Sequence, residues 1–146
     1  MDPLDLTKRP PRSPRELLPG LDLFMAARTV DKLRATLPGG NIGEYQISGF
    51  SSRLIERLGF PEAHLRAFIA TAQSDAEIAD WIAEHSDPAR YAEINAAFER
   101  STIGERANDP AFLARYPVVR RLPPETSRLD MLDADDAEAF GNASAG

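Results

Sequence analysis

Cysteine is absent from the 146 residues, which excludes disulfides, thiolate nucleophiles and cysteine-held zinc or iron–sulfur groups. Histidine is almost as scarce. His64 and His85 are the two, far apart and in no His-x-x-x-His, Glu-x-x-His or His-Glu-x-x-His pattern, so the sequence predicts no metal and no cofactor. His85 falls one turn past Trp81 and Ile82 and reads as a partly buried histidine at a helix end. No apolar run approaches the roughly 20 residues that span a bilayer. The basic N-terminus lacks the hydrophobic stretch of a secretion signal, so the expected location is the cytoplasm, away from membranes. The motifs of common enzymes are missing too. Gly39-Gly40-Asn41-Ile42-Gly43 runs into Glu44 instead of the Lys-Ser/Thr of a phosphate loop, and reads as a turn with positive-φ glycines. Gly49-Phe50-Ser51-Ser52 lacks the second glycine of a nucleophile elbow.

What is present is most unusual at the N-terminus. In Asp5-Leu6-Thr7-Lys8-Arg9-Pro10-Pro11-Arg12-Ser13-Pro14-Arg15 an arginine recurs at every third position among prolines. Proline fixes φ and biases the preceding residue away from helix, so residues 1–20 are expected to form an extended arm packing on the body. In a polyproline-like conformation Arg9, Arg12 and Arg15 would project along one edge at intervals of about 9 Å. Such a row calls for anionic partners: the protein's own carboxylates, a second copy, or a phosphorylated or carboxylate ligand. Pro11-Arg12-Ser13-Pro14 also fits the Pro-x-x-Pro pattern, for which self-packing is the simpler use.

The formal net charge is −6 and is unevenly spread. Residues 1–16 carry four basic and three acidic groups, residues 17–121 twelve and fourteen, and residues 122–146 one and six. An acidic surface repels phosphate backbones, so nucleic-acid binding is disfavoured despite the arm.

Hydrophobic spacing and caps predict an all-α protein, an irregular bundle of six or seven short helices, with residues 21–140 as a single helical domain. A first helix is expected over Leu21–Leu37, burying Ala26, Ala27, Val30, Leu33 and Leu37. Arg28, Asp31, Lys32 and Arg34 fall on its other side, ordinarily a solvated face. Phe50–Leu58 follows, stopped by Gly59. Pro61 opens a third helix, and Ser74-Asp75-Ala76-Glu77 is a capping box opening a fourth with Ile78, Trp81 and Ile82 inward. Asp87-Pro88 starts a longer helix through Tyr91, Ile94, Asn95 and Phe98, and Asp109-Pro110 a short one. Pro117–Pro124 reads as extended. Residues 127–140 make an acidic terminal helix, with Asp130, Asp133, Asp135 and Asp136 as a solvated face, and residues 141–146 a frayed tail.

Four segments follow one another along the chain: the arm from Asp5 to Arg15, Val30-Asp31-Lys32, Gly43-Glu44-Tyr45 after the glycine turn, and Leu129 to Asp136. On these the chain resembles an uncharacterised bacterial domain-of-unknown-function family over nearly its whole length. The resemblance implies a small stand-alone bacterial protein and carries no activity.

The candidate site is therefore built from residues alone. Arg9, Arg12, Arg15, Asp31, Lys32, Glu44 and Tyr45 form either a structural clamp, with Asp31 or Glu44 anchoring the arm by bidentate hydrogen bonds, or a ligand site. The leading expectation is a non-catalytic binding or interaction protein recognising a protein partner, a second copy of itself, or a small anionic ligand. The competing one is a small-molecule enzyme or ligand sensor with a polar pocket around Asp31, Lys32, Glu44 and Tyr45, walled by Trp81 or His64.

Overall fold

Capping chemistry decides where several of the helices begin. In the computed structural model, which describes residues 1–141, there are seven α-helices and no β-strand among the described residues. They are α1 (Ala26–Ala35), α2 (Phe50–Leu58), α3 (Glu62–Thr71), α4 (Asp75–Glu84), α5 (Tyr91–Arg100), α6 (Pro110–Arg115) and α7 (Arg128–Ala139). The protein is all-α. Beyond Gly141 the expected frayed tail lies outside the described residues. No helix is long and apolar enough to cross a membrane among those described.

The chain divides into two compact units, residues 1–95 and 96–146, and the division falls within α5. In the first unit α1 packs on α2 and α3, and α3 packs on α4. Their inward faces supply Leu33, Leu54, Leu65, Ile69, Ile78 and Ile82, each no more than 2% exposed. Removing such side chains from water stabilises by roughly 1.5–3 kcal/mol each. The Ser74 hydroxyl accepts the Glu77 amide at 3.2 Å, while the Glu77 carboxylate accepts the Gln73 amide at 2.8 Å, which fixes the start of α4.

The first unit departs from the sequence pattern in three places. The first helix starts at Ala26, not Leu21, because Met25 is held in the left-handed region at φ 71° and Leu18 to Leu21 closes a turn. The arm is not one straight extended row: the Lys8 amide returns to the Asp5 carbonyl and the Glu16 amide to the Ser13 carbonyl, so two turns break its spacing. The charged side of α1 is not solvated. Arg28, Asp31 and Lys32 are 1%, 3% and 7% exposed.

In the second unit the stretch after Pro117 is a 3₁₀ turn over Pro117–Arg121, not extended, and it packs against α6 and α7. Val118 and Val119 are thereby buried beside a core of Ile103, Phe112, Leu129 and Met131. Nor is the acidic face of α7 uniformly solvated. Asp130 is exposed, Asp133 and Asp135 are half-buried and Asp136 is buried.

Asp109 caps α6, accepting the amides of Ala111 at 3.0 Å and Phe112 at 3.3 Å and an ion pair from Arg106. The Arg106 hydrogen bond first, then the Phe112 amide, holds its carboxyl below the ordinary 3.8. A carboxyl lowered on folding stabilises fully above its unfolded value, and that contribution disappears as pH falls through the folded value. Asp109→Asn should therefore show a shallower loss of helix signal than the parent below about pH 4. Superimposable acid titrations would refute the cap's contribution.

Candidate functional site

Arg12 is the centre of the arm's attachment. Its backbone N–H donates to Asp31 Oδ2 at 2.8 Å, its Nε to both Asp31 oxygens at 3.1 and 3.2 Å, and its Nη2 to Asp31 Oδ1 at 3.0 Å. The far side of the guanidinium donates to Asp75, from Nη1 at 2.8 Å and from Nη2 at 3.3 Å. Glu16 lies 3.8 Å from Nε at the rim. One planar fork thus spans two carboxylates from different helices, a geometry that an ammonium cannot reproduce. The Asp31 side chain is 4% exposed and that of Asp75 31% exposed. Asp75 also sits in the first turn of α4, where the helix dipole favours an anion.

Burial alone would lower the Arg12 pKa. The hydrogen bonds from Asp75, then Asp31, outweigh it and hold the guanidinium above its ordinary value. Both unfolded and folded values exceed the ordinary working range, so Arg12 stays charged and its contribution does not vary there.

Behind Arg12, the Arg28 Nη1 donates to the Arg12 carbonyl at 3.3 Å, and the Arg28 guanidinium lies 5.6 Å from the centre of the Tyr45 ring. Tyr45 in turn packs with Ile42 against Leu4, Leu6 and Ala35. The arm's first residues are fixed by backbone bonds. The Leu6 amide donates to the Asn41 carbonyl at 2.7 Å and the Asn41 amide to the Leu4 carbonyl at 2.9 Å. The Met25 amide donates to the Pro14 carbonyl at 2.7 Å. The Met1 ammonium donates to the carbonyls of Ile69 and Ala72 at the end of α3, each at 2.8 Å.

Of the residues singled out from the sequence, Arg12 and Asp31 meet directly, and Tyr45 joins them through Arg28. Lys32 is buried on α1 and Arg15 is half-buried, whereas Arg9 and Glu44 are exposed. Two members were missed. Asp75 reads from sequence only as part of a cap, and nothing local ties it to a residue 63 positions earlier. Arg28 reads as a surface charge, since the arm that covers it is distant in sequence.

Chemically the Arg12–Asp31–Asp75 centre of the cluster is made of satisfied groups. Both carboxylates accept from a guanidinium, which does not give up its proton and so cannot relay one. Among the described residues no group of three His, Asp or Glu is placed to hold a metal ion.

The fold is thus an all-helical one whose N-terminal arm sets a single arginine between an aspartate of α1 and an aspartate of α4. The chain belongs to the family described as Domain of unknown function (DUF5069), which matches residues 8–138. The matched span includes Arg12, Asp31 and Asp75. No curated protein is significantly similar to it.

Proposed function

We propose that this is a non-catalytic binding protein that recognises a protein partner, with the arm serving as an internal clamp that fixes the helical surface. The observation that carries this reading is the double engagement of Arg12 by Asp31 and Asp75. The arm's most constrained cation is spent inside the molecule, so it does not advertise for an external anion. The buried carboxylate it neutralises is equally occupied as an acceptor and presents no general base.

A second reading has its own support. Arg28 and Lys32 are both buried one turn apart on α1, with Arg28 beside Arg12 and Tyr45, a concentration of cations that suits a small anionic ligand among Asp31, Lys32, Glu44 and Tyr45. One experiment separates the two. Purified protein is melted with nucleotides, sugar phosphates, carboxylates and divalent metals, each in large excess. A ligand at about 100 times its dissociation constant stabilises by roughly 2.7 kcal/mol, a shift of several degrees. The clamp reading expects no shift from any anion. A saturable shift that Lys32→Met abolishes would overturn it in favour of the ligand site.

A further inference from the structure

A second feature of the first unit takes no part in the clamp. Phe68 on α3 stacks on Trp81 of α4, ring centres 5.6 Å apart and planes 21° apart, and Trp81 stacks on His85 at 4.0 Å and 18°. Phe60 meets Trp81 edge-on at 4.9 Å. The imidazole is fixed in place, with Nδ1 2.7 Å from the Trp81 carbonyl one turn back. That contact requires a proton on Nδ1, which leaves Nε2 as an acceptor in the neutral ring.

Apolar rings stabilise most when buried, yet only Phe60 is. Phe68 and Trp81 are half-buried and His85 is exposed, so the pile ends in an open plate. The charge along α4 itself has one sign. Past Asp75, which Arg12 holds, stand Glu77, Asp80, Glu84 and Asp87, without a lysine or arginine between residues 76 and 89. On helical spacing Glu77 lies one turn before Trp81 and Glu84 one turn after it, on the same face. Asp80 and Glu84 are exposed and, among the described residues, neither is in an ion pair.

We infer that this aromatic strip docks an arginine-bearing segment of a partner protein. A flat ring edged by carboxylates matches one side chain better than any other. The guanidinium is planar, so it stacks on an imidazole while its fork takes a carboxylate, and it sheds water more readily than an ammonium. Lysine offers a point charge without the stacking. Nucleic acid would also stack, but the four carboxylates past Asp75 repel its phosphates. The inference names the partner chemistry for the binding protein proposed above, at a surface distinct from the clamp. Its failure leaves the clamp to be judged by the anion screen.

Trp81 is the sole tryptophan, so its fluorescence reports the strip without interference. The full chain is titrated with hexa-arginine, with hexalysine and with a short oligouridylate at equal ionic strength. Hexa-arginine is expected to give a saturable change, binding about fivefold tighter than hexalysine. Glu84→Gln and His85→Ala, both at exposed positions, should each weaken it by about fivefold while melting like the parent. Equal binding of the two peptides, indifference to both substitutions, no saturable change, or preference for the oligouridylate would each overturn the inference.

Discussion

Arg12→Met should lower the unfolding midpoint by about 10 °C. Methionine keeps the length of the stem, so little packing is lost. What is lost is the neutralisation of Asp31, whose side chain is 4% exposed. Removing one member of a buried pair leaves an uncompensated charge, worth about 3 kcal/mol. Asp75 suffers less because it is 31% exposed and water replaces the missing donor. Two further variants isolate the cause. Arg12→Lys keeps the charge but not the fork, and should fall between parent and Arg12→Met. Adding Asp31→Leu to Arg12→Met should restore about half the loss, since no buried carboxylate then remains. Calorimetric midpoints decide it. If Arg12→Met melts within a degree of the parent, the arm is held by its apolar residues and backbone bonds alone.

Gly40→Ala should cost about 3 kcal/mol, through sterics instead of charge. A methyl group there would lie 2.6 Å from the Ala35 carbonyl oxygen and 3.0 Å from the Ala35 Cα. These are backbone atoms at the end of α1 and cannot rotate aside, so the segment carrying Gly40 must move. Its neighbour Asn41 exchanges backbone hydrogen bonds with Leu4 and Leu6, so the displacement reaches the arm. Faster trypsin cleavage after the exposed Lys8 should accompany the lower melting temperature. Gly20→Ala is the control. Gly20 has φ +70° but open space around it, so only the backbone penalty of about 1 kcal/mol applies. Similar melting of the two variants would refute the close-approach argument.

What the sequence made legible was whatever is encoded within a few residues. Ser74 with Glu77, Asp109 before Pro110, and Ser127 before α7 each satisfy free amides one turn away, so the types of nearby residues suffice to place the start. Gly59 stops α2 where it was expected, with φ 90°. The start of α1 was not legible. Residues 21–25 have helical composition, but the Met25 amide bonds to the Pro14 carbonyl, a partner that no local pattern specifies. The site divides the same way. The arm's arginines stood out through their spacing, and Asp31 through its place on α1. Asp75 was hidden behind its local role, and the burial of Arg28 depends on a segment sixteen residues earlier.

The clamp also orders events in time. Arg12 leaves the ribosome before its partner Asp75, 63 residues later in the chain. At about 5–20 residues per second of synthesis, the arm waits several seconds for its second carboxylate. The arm is thus made well before its second carboxylate, and a nascent chain displays Arg12 and the prolines around it to the cell before the folded protein packs them away.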